Sequence, residues 1–345
     1  MRKTSWSVDL FMRISFTGNA MRYMDHNTGY GQASEMIYKT FKKMGIDCGF
    51  EIKNPDIEIC FSSPETHYWL NKNSYKIAYT AWESTDLTDE AKELMSEADE
   101  IWGTSPWVKN VFEHIFPNKP VFYYKHGIDE RFKPTLRKEA NKPFTFFHIG
   151  EPSSRKDGQM LVEAFIELFG DNEDYRLVMK CSGMNTIKVK DRWGYTSSPS
   201  ALYKNIVDIT SFLTNEQIVG LYGLCDVFVY PSWGEGFGLQ PLEALAMGMP
   251  VISTDGWADY KKYITFPIES ELSTNPWQKI HPGFMMKPIK ESLKKQMINA
   301  VENYNTVIRD TFRNSFLIHE EYDWVEVTKP VILRLEEIYK KNNKS

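Results

Sequence analysis

The stretch Tyr230–Thr254, YPSWGEGFGLQPLEALAMGMPVIST, sets two carboxylates, Glu235 and Glu243, around a turn with glycines at 234, 236 and 238. The apolar run DVFVY before it reads as a strand ending at Tyr230, and LQPLEALAMG after it reads as a helix beginning near Leu239. In sheets covered by helices on both faces, ligands gather at the carboxyl ends of strands, where Ser232–Leu239 falls. Glycines let the backbone turn tightly and approach a ligand closely. A helix whose first N–H groups point back at such a turn is an anion site, suited to a phosphate. Carboxylates would repel a phosphate as ligands, but they suit hydroxyls, those of a sugar on one side and a ribose on the other. The combination predicts a nucleotide sugar. Glu243 by itself would read as a solvated helix glutamate; Glu235 and the three glycines give it the second role.

Strands alternating with helices must hold these groups in place, and the chain supplies two such series. In the N-terminal half the strands are Phe11–Thr17, Ile57–Ser62, Tyr75–Ala81, EIWGTS and PVFYYKHGID. A loop with Asn27, Gly29 and Gly31 leads into a helix, ASEMIYKTFKKMG, and Ser105–Pro106 opens another as N-cap and first helical residue. The polar segment Pro134–Pro143 marks the boundary. The alternation then restarts with PFTFFHIG, the helix DGQMLVEAFIELFG, and the strands YRLVMKC and NIVDI. LTNEQIVGLYGLC follows, a helix with Thr214 and Gln217 placed as a capping box. From Ile289 the tail is helical, and Pro330 should kink or break it. This pattern predicts an α/β protein with two parallel sheets, divided as residues 1–140, 141–322 and a final helix, 323–345.

A chain of 345 residues with 42% hydrophobic and 25% charged residues can bury two cores. Net charge is −5, so no global basic field draws it to nucleic acid or anionic lipid. Cys48, Cys60, Cys181 and Cys225 form no C-x-x-C pair and read as buried, reduced thiols of a cytoplasmic protein. No run reaches transmembrane length, and Asp9 and Arg13 interrupt what would be a signal peptide.

The Glu–seven residues–Glu block resembles the retaining GT-B glycosyltransferases of the family 4 type (glycosyl transferases group 1). NTGYGQAS (Asn27–Ser34), ADEIWGTSPWVKNVF, KHGIDERFKP, HIGEPSSRKDGQMLVEAF and DWVEV…LEEIY are similar to further segments of that family. The resemblance implies two facing Rossmann-like domains, an acceptor-binding first and a donor-binding second, with the last helix crossing back to the first. By the same resemblance Glu235 would hold hydroxyls of the donor sugar and Glu243 the ribose. The N–H groups of Gly236, Phe237, Gly238 and Leu239 would hold sugar and distal phosphate. Arg155 and Lys156 would neutralise the departing diphosphate. Arg155 would stand in for an arginine that the family often carries where this chain has Glu151. Gly29 and Gly31 would close over the donor. Many members place a histidine near the reacting sugar; here Thr80-Ala81-Trp82-Glu83 occupies that position, which makes Trp82, Glu83 and His126 the candidates for the reacting centre.

The implied reaction moves a hexose, glucose or mannose, from a nucleoside-diphosphate carrier such as UDP-glucose or GDP-mannose, with retention. No D-x-D triplet is present, so the expected reaction needs no metal and no cofactor beyond the donor substrate. The acceptor expected is a glycan or lipid-linked sugar, reached by peripheral membrane contact at most. A hydroxymethylated DNA base is the second choice, with Arg22, Tyr23 and Lys39–Lys43 as its groove. Other classes weighed are a nucleotide-sugar epimerase, a non-catalytic sugar-nucleotide binding module, and an NAD-dependent oxidoreductase reading GYGQAS as a dinucleotide fingerprint. The last is disfavoured by Ser34 in place of the third glycine. Trp233 is the one tryptophan singled out from the core, because it neighbours the donor loop; His148 and His281 read as ordinary core or surface residues.

Overall fold

Two series of β-branched and aromatic runs form two parallel sheets, each in its own unit. The computed structural model describes residues 12–19, 21, 28–140, 142–181, 187–190 and 194–343. Phe11, Arg22, Tyr23 and Asn27 lie outside these. One unit comprises residues 1–127, 279–283 and 321–345; the other comprises 128–278 and 284–320. The passage from the first to the second thus comes at Gly127–Ile128, ahead of the polar segment 134–143.

In the first unit the elements are β1 (Arg13–Thr17), α1 (Gly29–Lys43), β2 (Asp47–Phe50), β3 (Ile57–Phe61), β4 (Tyr75–Thr80), α2 (Asp89–Ser96), β5 (Glu100–Gly103), α3 (Pro106–Ile115) and β6 (Val121–Tyr123). The strands lie in the order β2-β1-β3-β4-β5-β6, every pair parallel. Parallel neighbours need crossover connections, so helices cover the sheet and its strands read as continuous apolar runs. Ser105 caps α3, its hydroxyl accepting from Val108 N–H, with Pro106 at the first position. Helix α1 starts at Gly29, so Gly29 and Gly31 form its first turn rather than a loop, and Thr28 caps it by accepting from Gly31 N–H at 3.0 Å.

The second unit contains β7 (Phe144–Ile149), α4 (Gly158–Phe169), β8 (Tyr175–Lys180), the short β9 (Val189–Lys190) and β10 (Thr196–Ser197), α5 (Pro199–Leu202), β11 (Ile206–Ile209), α6 (Asn215–Leu224), β12 (Val227–Tyr230), α7 (Leu239–Ala246), β13 (Val251–Thr254), β14 (Phe266–Ile268), β15 (Ser270–Thr274), β16 (Phe284–Pro288) and α8 (Lys290–Glu321). Its main sheet runs β11-β8-β7-β12-β13-β14, again all parallel. The capping box on α6 forms as expected, Thr214 accepting from Gln217 N–H while the Gln217 side chain accepts from Thr214 N–H. β15 and β16 pair as an antiparallel hairpin that the apolar pattern does not announce, since its outward Leu272 and Phe284 are exposed.

The final helix, α9 (Trp324–Asn342), belongs to the first unit and adds Trp324, Val331, Ile332 and Leu335 to the core around Ile14, Phe16, Phe41 and Ile59. It passes through Pro330 without a break. Pro330 and Glu326 are both exposed, so the Glu326 carbonyl that the missing N–H would have bonded can turn to water. The helical tail is interrupted earlier, at Tyr322–Asp323, where the Asp323 carboxylate accepts from Val325 and Glu326 N–H. An ion pair between the half-buried Arg334 and the buried Glu100 anchors α9 to the sheet. Arg334 donates to both oxygens of Glu100, at 3.0 and 2.7 Å, and the same carboxylate accepts from Trp102 Nε1 and the Tyr75 hydroxyl. Glu100 is completely buried, so removing its cation leaves an uncompensated charge. Arg334→Ala is therefore expected to cost about 3 kcal/mol of stability, read as a lowered midpoint in thermal or urea unfolding.

Candidate active site in the second unit

The groups singled out in the sequence meet at the carboxyl ends of β7 and β12. β7 ends at Ile149, and the loop after it carries Arg155 and Lys156 to the N-cap of α4, Asp157. β12 ends at Tyr230, and the glycine turn follows it to α7. Parallel pairing of β7 with β12 brings the two loops side by side although nearly eighty residues separate them in the chain.

Four donors converge on one oxygen, Oε1 of Glu235. Arg155 Nη1 lies at 2.8 Å, Lys156 Nζ at 2.7 Å, the Ser232 hydroxyl at 2.5 Å and the Tyr230 hydroxyl at 3.1 Å. Lys156 also donates to the Tyr230 hydroxyl, and Arg155 Nη1 to the Gly234 carbonyl at 2.6 Å. Glu235 Oε2 takes no hydrogen bond from the described residues. All three charged residues are over nine-tenths buried, Glu235 being 6% exposed, Lys156 7% and Arg155 9%. Burial pushes the Glu235 carboxyl upward, but Arg155 and Lys156 outweigh it, and the group ends at about 2. Burial pushes the Lys156 ammonium down, with Glu235 opposing. Behind them His148 stacks on Tyr230 at 5.8 Å and hydrogen-bonds to the Val229 carbonyl through Nδ1; burial lowers it to about 4, so it stays neutral.

Two tryptophans brace this cluster. Trp233 donates its N–H to the Arg155 carbonyl at 2.9 Å and its ring nitrogen to Asp157 Oδ2 at 2.8 Å, while its own carbonyl accepts from Met286 N–H in the β15–β16 hairpin. Trp257 donates its ring nitrogen to the Ser232 carbonyl at 3.0 Å. Trp233 thus ties the arginine–lysine loop to the glycine turn, a role its sequence neighbourhood hinted at; Trp257 carried no such signal. Of the three glycines, Gly238 has the positive φ, +79°, and a Cβ there would fall 2.6 Å from Trp257 and 2.7 Å from the Tyr260 hydroxyl.

Gly238 is also the N-cap of α7 and offers no side chain to its first-turn amides; Leu239 N–H, at the first helical position, has no acceptor within the helix. Glu243 stands one turn into α7. It is 9% exposed, and the Tyr222 hydroxyl donates to its Oε2 at 3.0 Å. Burial raises it to about 7, with Tyr222 and Arg131 opposing and Asp129 adding to the rise. Arg131 is itself forked onto Asp129, at 2.9 and 2.8 Å.

The remaining candidates sit in the first unit. Gly29 and Gly31 are in the first turn of α1; between them the Tyr30 hydroxyl lies 3.0 Å from Thr80 Oγ1 and 3.1 Å from both the carbonyl and the N–H of Ala81. Trp82 is buried, donates its ring nitrogen to the Asp86 carbonyl, and packs on His281 at 4.4 Å, with Glu83 Oε2 3.6 Å from His281 Nδ1. His281 is thus buried, the core one of its two sequence readings. His126 is a core residue, 3.1 Å from the Tyr79 hydroxyl and stacked on Trp324 at 5.9 Å; burial lowers it to about 3. Its imidazole is neutral and enclosed. Cys48, Cys60, Cys181 and Cys225 are buried free thiols. Among the described residues no three His, Cys, Asp or Glu side chains group as a metal site, and no helix is long and apolar enough to cross a membrane.

Residues 129–265, which span both loops of the site and Glu243, match the family of glycosyl transferases group 1. This stretch of the second unit is similar to group 1 glycosyltransferase domains. A putative glycosyltransferase of a Sulfolobus islandicus filamentous virus is 22% identical over 88% of this chain and 90% of its own length. The lipopolysaccharide core biosynthesis mannosyltransferase LpsB of Rhizobium meliloti is 28% identical over 54% of each protein, so this chain spans about half of it. Among solved structures, HepE of Anabaena in complex with UDP superposes with a TM-score of 0.60 over 94% of this chain and all of that one, at 12% identity. The fold is therefore GT-B, as the resemblance implied.

The charge state of Glu243 makes the second unit sensitive to pH. Its carboxyl ionises near 4.5 when unfolded and about 7 when folded, so between these values the folded state holds the extra proton. The Glu243 contribution to stability is fully present below pH 4.5 and is lost as pH rises through about 7. Glu243→Gln should raise the melting temperature at pH 8, by a gain of the order of 1–3 kcal/mol, and leave it unchanged at pH 4.5. Paired thermal melts at the two pH values check this.

Proposed function

We propose that this chain is a retaining hexosyltransferase that moves mannose or glucose from a nucleoside-diphosphate sugar to a hydroxyl of a glycan or lipid-linked sugar. The observation that carries the reading is the convergence of Arg155 and Lys156 on Glu235 beside an uncapped helix N-terminus, in the domain matched by the glycosyltransferase family. Two cations facing one buried carboxylate suit a site built for a further anion. Glu235 holds them in place until the donor arrives. The diphosphate then takes over part of their hydrogen bonding, and Glu235, whose Oε2 is already open, accepts hydroxyls of the sugar. Glu243 accepts from the ribose, in its ionised form.

In the transfer the bond between the anomeric carbon and the phosphate oxygen breaks, and its electron pair stays on that oxygen. Arg155, Lys156 and the amides of the glycine turn stabilise the charge that develops there. The acceptor oxygen attacks on the face that the phosphate leaves, and its proton passes to the leaving phosphate oxygen. No protein nucleophile is needed. The fixed cations supply the charge that a metal would otherwise bring, so the reaction is expected to survive EDTA. Mannose is favoured by the similarity to LpsB, and UDP is the nucleotide bound by HepE, so both nucleobases belong in the test.

The test is a panel of UDP- and GDP-hexoses assayed for transfer and for stereochemistry at the new bond. Lys156→Ala should lower kcat by about 10²–10³ while the fold, still holding the Arg155–Glu235 pair, melts as a cooperative unit. Wild-type turnover by that variant, or an inverted product, would reject the proposal.

A further inference from the structure

The turn after β13, Asp255–Tyr260, lies outside the residues that the donor reading uses, yet it grips both ends of the glycine turn. Trp257 holds the Ser232 carbonyl and Tyr260 holds the Gly238 carbonyl, the latter at 2.5 Å. Both aromatic side chains are buried, Tyr260 completely, and its ring packs edge-on to Phe237 at 6.1 Å. Burial raises the Tyr260 hydroxyl well above its ordinary range, so it remains a donor at any physiological pH.

A trans peptide is planar, with its C=O and N–H pointing to opposite sides. A hydroxyl that holds the Gly238 carbonyl therefore also fixes the direction of the Leu239 N–H, which shares that peptide plane. Gly238 is in the left-handed region, where a residue without a side chain turns most freely, and it has no capping side chain of its own. The orientation of this plane must come from outside the turn, and Tyr260 supplies it. The same logic applied to Trp257 leads elsewhere: the N–H that follows Ser232, that of Trp233, is already bonded to the Arg155 carbonyl.

We infer that Tyr260 is a positioning residue for phosphate recognition: its hydroxyl, by holding the Gly238 carbonyl, aims the Leu239 amide at the distal phosphate of the donor. This rests on the donor-site reading above, and the experiment separates the two. Binding of UDP, GDP, UMP and GMP is measured by calorimetry for the wild type, Tyr260→Phe and Trp257→Phe. The wild type should prefer the diphosphate of one base over its monophosphate. Tyr260→Phe keeps the ring and loses the hydroxyl; its diphosphate affinity should fall about tenfold while the monophosphate affinity holds. Trp257→Phe should keep the preference. Equal affinities for wild type and Tyr260→Phe, an equal fall for mono- and diphosphate, or the same selective loss in Trp257→Phe would overturn the inference alone. A wild type that binds none of the four would overturn the donor-site reading and this inference with it.

Discussion

The second unit is organised around one buried carboxylate oxygen. Oε1 of Glu235 sits where Arg155, Lys156, Ser232 and Tyr230 all point. Taking two cations and an anion out of water is costly, and the cost is offset only where every group is hydrogen-bonded in good geometry. That requirement explains much around it. The tryptophan between the loops, the lysine over the Tyr230 ring at 4.9 Å and the serine at the turn all serve to keep three charges within reach of one another. A lone glutamate in that place would be driven toward its neutral form; flanked by two cations it is held ionised far below neutral pH.

The contrast with Glu243 is one of surroundings rather than of residue type. Both are buried glutamates eight positions apart. One has two cations in contact and settles at about 2; the other has a tyrosine hydroxyl and a more remote arginine already forked onto Asp129, and settles at about 7. A carboxylate poised near neutrality changes its hydrogen-bonding role within the physiological range, whereas Glu235 stays an acceptor throughout it.

Local chemistry made a large part of this legible in the chain alone. The Ser105–Pro106 and Thr214–Gln217 helix starts, the alternating strands and the glycine turn are short-range signals, and the structure contains each of them. What stayed hidden depends on distant partners. Arg155 and Lys156 could be assigned to a phosphate by resemblance, but their shared grip on Glu235 arises only when β7 and β12 pair. The edge strand Asp47–Phe50 and the β15–β16 hairpin are half polar and carry no clear periodicity. Pro330 read as a helix breaker because its solvent-facing position cannot be known from the residue alone. His281, scattered in sequence, acquires partners because residues 279–283 fold with Trp82, Glu83, Thr85 and Asp86.

That five-residue excursion has a practical consequence. The polypeptide changes unit at 127/128, 278/279, 283/284 and 320/321, so neither half is one uninterrupted stretch of chain. Exchanging the second unit with that of another protein by a single splice would transplant His281 and Gly283 away from Trp82 and Asp86, against which they are fitted. A working chimaera would need those five positions kept from the recipient, grafted into the donor's hairpin as a separate cassette.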